Sequence, residues 1–115
     1  MMSLQLSIRK SDDVIILDLQ GRATIGRGND LLSTNLRQVI ADGENKVLLN
    51  LTGLTQVDSS SLSTIVRAFV SLGRKSGGLK LLRPRDSVKL VLETLRLLGV
   101  IPWFEDEAQA VASFQ

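Results

Sequence analysis

Between Lys46 and Leu51 the chain reads Lys-Val-Leu-Leu-Asn-Leu, apolar at nearly every position rather than at every second one. A strand of that kind is covered on both faces, which places it in the middle of a layered α/β sheet. The run points into Thr52 to Asp58, and past Asp58 the apolar period changes. Leu62, Ile65, Val66, Phe69 and Val70 then recur along one face of a helix that stops near Gly77-Gly78. A strand feeding a helix in this way returns through a right-handed crossover to a parallel neighbour.

The remaining segments attach to that unit. Leu4 to Arg9 alternates apolar and polar residues, Ser11-Asp12-Asp13 makes a turn, and Val14 to Leu19 is a β-branched run ended by Gly21, so the two form an antiparallel hairpin. Gly26 and Gly28 bracket a loop. Asn29 or Asp30 then caps a helix with Leu32, Leu36, Val39 and Ile40 inside and Gly43 closing it. Leu79 to Leu82 is a fourth strand. Pro84 and Asp86 open a helix with Val88, Val91, Leu92, Leu95 and Leu98 inward and Gly99 at its end. Leu90 and Leu97 lie off that stripe and read as the edge of a wide core face in preference to an exposed contact patch. Trp103-Phe104 is a short last strand, and Asp106 caps a terminal helix through Val111. The order β-β-α-β-α-β-α-β-α describes one domain over residues 1–115, a mixed sheet covered by helices.

Composition removes whole classes of chemistry. With no histidine and no cysteine, the 115 residues hold no Ser-His-Asp or Cys-His nucleophile pair and no soft metal site. Fourteen basic against twelve acidic residues leave a net charge of +2, and aromatics are 3%, too few to build stacking platforms for nucleic acid. The apolar runs are broken by Asp18, Asn50, Glu93 and Arg96, so none spans a bilayer, and the first residues do not read as a signal peptide. The expectation is a cytoplasmic binding protein without cofactor, metal or activity of its own. A carboxylate-dependent hydrolase is a remote alternative, because the acids are scattered.

The stretch Val57-Asp58-Ser59-Ser60-Ser61-Leu62-Ser63 gathers four hydroxyls and a carboxylate where the central strand turns into the helix. Asp58 suits the N-cap, Ser59 and Ser60 then being the first two helical residues. Helical phase groups Ser60 with Thr64, Arg67, Ser71 and Arg74, opposite the core stripe, which makes its hydroxyl reachable. A phosphate there would sit on a helix N-terminus, which tolerates anions. A capping run with no further role accounts for the same residues. Elsewhere, Gly26-Arg27-Gly28 lacks the third glycine of a dinucleotide fingerprint, where Leu31 stands. Asp12-Asp13 occupy a hairpin turn rather than the strand end at which a receiver domain binds magnesium. Arg74, Lys75, Lys80, Arg83, Arg85 and Lys89 form a loose basic cluster, suited to an acidic partner or simply solvated.

Lys46 to Leu51 followed by Val57 to Leu62 resembles the strand, loop and D-S-S-G-L helix start of STAS domains of the anti-sigma factor antagonist type. Leu19-Gln20-Gly21-Arg22 resembles that family's L-x-G segment, and Gly78 to Leu81 its G-x-L-x-L strand. Leu97-Leu98-Gly99-Val100 with Phe104, Ala108 and Ala110 resembles its C-terminal pattern. The resemblance implies that Ser60 is the serine phosphorylated by a partner kinase that is also the anti-sigma factor. The unphosphorylated form then binds that kinase and frees a sigma factor, and a separate phosphatase resets Ser60. It further implies a partner surface of Asp58, Ser59, Ser60, Ser61, Thr24, Thr64 and Arg67. Ser61 replaces the family's usual glycine, and Thr24 stands where many members carry an acid. A constitutive scaffold subunit of a signalling assembly or membrane transporter complex is the alternative reading, and a homodimer is left open.

Overall fold

The computed structural model describes residues 3–115. Its elements are β1 (Gln5–Ser11), β2 (Val14–Ala23), α1 (Arg27–Ala41), β3 (Lys46–Val57), α2 (Ser59–Arg74), β4 (Gly78–Leu82), α3 (Asp86–Thr94), a 3₁₀ turn (Leu97–Gly99), β5 (Trp103–Phe104) and α4 (Glu107–Ala112). The strands lie in the order β1-β2-β3-β4-β5, with β1 antiparallel to β2 and every later pair parallel. The expected element order and the mixed sheet are both present.

Alternation along the strands assigns the two faces. Ile15, Leu17 and Leu19 of β2, Val47, Leu49 and Leu51 of β3, and Leu79 and Leu81 of β4 pack against Leu32 and Leu36 of α1, Ile65 and Leu72 of α2, and Val88 and Leu92 of α3. Fully burying a side chain of this size is worth about 1.5–3 kcal/mol, so this layer carries most of the fold's stability. The other face is covered only in part. Val14, Ile16, Leu48 and Leu82 meet Ala110 and Val111 of α4, with Phe104 and Phe114 alongside. Arg9 ties that helix to the sheet, donating to Asp18 at 2.7 Å and to Glu107 at 2.6 Å.

Several expectations need correction. β3 does not end at Leu51: it runs to Val57, because β2 continues past Gly21 to Ala23 and keeps the parallel ladder going through two register shifts. Gly21 is therefore a bulge residue inside the strand, at φ 93, rather than its end. α1 starts at Arg27 with Gly26 as N-cap and no side-chain cap, so Asn29 and Asp30 are interior and the Gly-Arg-Gly segment is the first helical turn instead of a loop. The inward stripe of α2 is Leu62, Ile65, Ala68 and Leu72, rotated from the expected one, which leaves Val70 exposed and buries Thr64. α3 ends at Thr94, since a left-handed Arg96 (φ 60) turns the chain into the 3₁₀ turn and leaves Leu95 exposed. Leu90 is also exposed, at 63%, whereas Leu97 does pack against the core. Gly43, with φ 88 just past α1, and Asp106, accepting from the Gln109 N–H at 2.9 Å, close and open their helices as expected.

Gly28 shows why that first turn is tight. A Cβ placed there would lie 2.5 Å from the Arg22 carbonyl oxygen of β2, whereas at Gly73 in α2 it would meet nothing within 4 Å. The two Gly→Ala substitutions should therefore have opposite signs. Gly73→Ala should gain up to about 1 kcal/mol from helix propensity. At Gly28 backbone overpacking of about 1–3 kcal/mol opposes that gain. Urea midpoints check this: Gly28→Ala is expected below wild type and Gly73→Ala above it.

Candidate functional site

The parallel crossovers bring the C-terminal ends of β2 and β3 beside the N-termini of α1 and α2. Asp58 sits at that junction in extended conformation, as the N-cap of α2. Its Oδ1 accepts from the backbone N–H groups of Ser60 (3.1 Å) and Ser61 (3.2 Å) and from the Ser60 hydroxyl (2.6 Å). Its Oδ2 accepts the Ile25 N–H at 2.7 Å, so the same carboxylate also holds the loop between β2 and α1. The Ser61 hydroxyl completes a capping box, accepting from the Asp58 N–H at 3.2 Å. Four donors on one carboxylate favour its ionised form. The Ser60 hydroxyl contributes most, and the N–H groups of Ile25, Ser61 and Ser60 add to it, holding the Asp58 pKa below its ordinary 3.8.

The predicted residues divide into two groups around this carboxylate. Ser59 is exposed, Ser60 and Thr24 are half-buried, and Arg67 is exposed one turn beyond Thr64. Ser61 and Thr64 turn inward, with 0% and 5% of their surface accessible. Ser61 therefore adds no side chain to the outer surface, because its hydroxyl is spent on the cap. Thr64, expected on the solvent face, instead spans α1 and α2: its hydroxyl lies 2.7 Å from Asn29 Oδ1 and 3.1 Å from the Ser60 carbonyl. Arg67 Nη2 donates to the Thr64 hydroxyl at 3.5 Å.

Two surface features beside Ser60 escaped sequence reasoning. Ile25 is 81% exposed, although its N–H is tied to Asp58. A groove of about 410 Å³ runs next to Ser59 and Ser63, lined by Leu62, Val66, Leu95 and Leu97. Ile25 does carry a signal, being an apolar residue in a glycine-flanked loop that belongs to no periodic stripe. The groove has none, since it depends on where α3 breaks. Three of the six residues of the basic cluster, by contrast, pack against the fold. Lys80 sits 4.5 Å from the Phe114 ring centroid, Lys89 sits 4.8 Å from that of Trp103, and Arg83 donates to the Glu105 carbonyl at 2.7 Å. No group of three or more carboxylates able to hold a metal ion occurs among the described residues. No helix among them is long and apolar enough to cross a membrane.

A sequence model of the STAS domain matches residues 5–110. A Thermotoga maritima protein whose name assigns it provisionally to the anti-sigma factor antagonists is 26% identical over 100 residues, covering 87% of this chain and 88% of its own. Among solved structures, an anti-sigma factor antagonist from Mycobacterium paratuberculosis superposes with a TM-score of 0.84 at 16% identity, over 97% of this chain and 94% of its own. The Bacillus cell fate determinant SpoIIAA in its phosphorylated form gives 0.75 at 16% identity, over 96% and 100%. Unphosphorylated SpoIIAA gives 0.73 at 15%, over 96% of both chains.

Asp58→Ala should cost about 0.5–2 kcal/mol, the usual worth of an N-cap, and should loosen the loop at Ile25 as well. Because the folded-state pKa is depressed, the ionised cap stabilises the fold above about pH 4, and that contribution is lost as pH falls through the folded value. Urea midpoints measured from pH 7 down to pH 2 should fall less steeply in Asp58→Asn than in wild type. Hydrogen exchange at the Ile25 amide should accelerate in Asp58→Ala.

Proposed function

The chain belongs to the STAS domain family, and on that premise we propose that it acts as an anti-sigma factor antagonist, a binding module switched by phosphorylation at Ser60. The observation that carries this reading is the hydroxyl of Ser60, held 2.6 Å from the Asp58 carboxylate at the start of α2; the same carboxylate holds the exposed Ile25, and an apolar groove is lined by the neighbouring Ser59 and Ser63. A helix N-terminus accepts an anion, and an apolar rim around it suits a protein partner. That SpoIIAA, of the same fold, has been solved in phosphorylated and unphosphorylated forms fits the reading.

In this mechanism the unphosphorylated surface binds an anti-sigma factor that is also a serine kinase, and the sigma factor is released. The kinase supplies ATP and magnesium. The Ser60 oxygen attacks the γ-phosphorus, the bond to ADP breaks, and the hydroxyl proton passes to a base. Asp58, which accepts that hydrogen before the reaction, orients the oxygen. Afterwards the donor is gone, and about −1.5 to −2 charges stand beside an ionised carboxylate. The helix N-terminus and solvent accommodate that anion in the free protein. A partner covering the site would have to desolvate it against a surface shaped for a hydroxyl, so the complex dissociates until a phosphatase resets Ser60.

Calorimetric titration against the anti-sigma partner tests the switch. Ser60→Asp is expected to bind at least thirtyfold more weakly, the equivalent of about 2 kcal/mol, while melting near wild type. Ser60→Ala is expected to bind normally and to resist release by Mg-ATP. Equal binding of wild type and authentic phospho-Ser60 protein would overturn the switch and favour a constitutive scaffold.

A further inference from the structure

A second groove, of about 400 Å³, lies between α1 and α2. Its lining includes Leu36, Ile40, Ala41 and Ala68, with Arg37 on the α1 side and Arg67 on the α2 side. The small side chains of Ala41 and Ala68 leave the trough unfilled, and Leu36, almost fully buried, forms part of its floor. No carboxylate lines it, and among the described residues neither arginine makes an ion pair. Both arginines are exposed. The trough therefore offers an apolar seat between two cations with nothing of its own to neutralise them.

The helices fix how those charges are spaced. α1 and α2 both return from parallel strands and so run in the same direction, and the contact between Thr64 and Asn29 sets their register. Arg67 lies three residues past that level and Arg37 eight, so the two positions are offset along the trough by about 7.5 Å, five residues at 1.5 Å each. The axes of packed helices lie about 8–10 Å apart, so with that offset the two arginine positions are about 11–12.5 Å apart across the trough. Every second residue of an extended chain faces the same side at about 6.6–6.8 Å intervals, so two acidic residues four apart, about 13 Å, span the pair while the residue midway between them faces the trough. A single carboxylate headgroup would reach one arginine and leave the other bare.

We propose that this groove docks an acidic segment of a protein partner, two carboxylates pairing with Arg37 and Arg67 while an apolar side chain between them enters the trough. The proposal rests on the partner-binding reading above and adds the chemistry of one partner segment. Its test uses neither kinase nor phosphate, so it stands or falls separately from the Ser60 switch.

The probe is a blocked pentapeptide with glutamate at both ends, leucine at its centre and glycine at the other two positions, titrated into the full ¹⁵N-labelled chain at low salt and followed by amide chemical shifts. Saturable shifts are expected between Ser33 and Ala41 and between Thr64 and Ser71. They should weaken at least tenfold in Arg37→Glu/Arg67→Glu and disappear in Ala41→Trp, which fills the trough from an exposed position. Melting curves of both variants establish that they fold; if the charge variant does not, loss of the wild-type shifts in 0.5 M salt serves in its place. A lysine-leucine-lysine peptide should produce no saturable shift. Overturning results are a flat titration to millimolar peptide, equal binding of the lysine peptide, or octanoate saturating these amides while the acidic peptide does not, which would make the groove a small-amphiphile site.

Discussion

One carboxylate joins the junction of β3 and α2 to a loop 33 residues earlier in the chain. Asp58 accepts from Ser60 twice, from the Ser61 N–H and from the Ile25 N–H, so it ends β3, starts α2 and fixes the loop that leads into α1. The Ser60 and Ser61 N–H groups it satisfies have no partner within the helix, and such a cap is worth about 0.5–2 kcal/mol. The geometry of the candidate switch follows from this. Ser60 is presented because its own N–H and hydroxyl are both held by the cap, and Ile25 is presented because its backbone is.

Around that junction the fold divides its labour. The face of the sheet carrying α1, α2 and α3 holds the main core, while α4 and Arg9 cover part of the other. The surface features suited to partners lie on the helical layer: the groove beside Ser59, exposed Ile25, and the trough between α1 and α2. The structure gives α2 two roles on one element. Its inward stripe packs the core, and its flanks border both grooves.

Much of this was legible from the residues. The apolar run at Val47 to Leu51, the change of period after Asp58 and the hairpin at Asp12-Asp13 led to the right element order, and the Asp-Ser-Ser-Ser run placed the cap at Asp58. What the residues did not reveal was set by contacts between distant segments. Gly21 reads locally as a strand end, yet β3 pairs beyond it and turns it into a bulge. Thr64 reads as solvent-facing from helical phase, yet Asn29, 35 residues earlier, draws it into the α1–α2 contact. Leu95 fits the inward stripe of α3, but the left-handed Arg96 ends that helix and swings Leu95 out to border a groove.

The proposed switch requires the cap on α2 to make Ser60, and no neighbouring hydroxyl, the acceptor of a regulatory phosphate. Ser59, Ser61 and Ser63 lie within three residues of it, and they differ from it in exposure and hydrogen bonding rather than in chemistry. Incubating the wild-type chain with Mg-ATP and the anti-sigma kinase, then mapping the product by peptide mass spectrometry, separates them. A single phosphate, on Ser60, is expected. Phosphate on Ser59 or Ser63, or none with any serine kinase of the same genome, would contradict it.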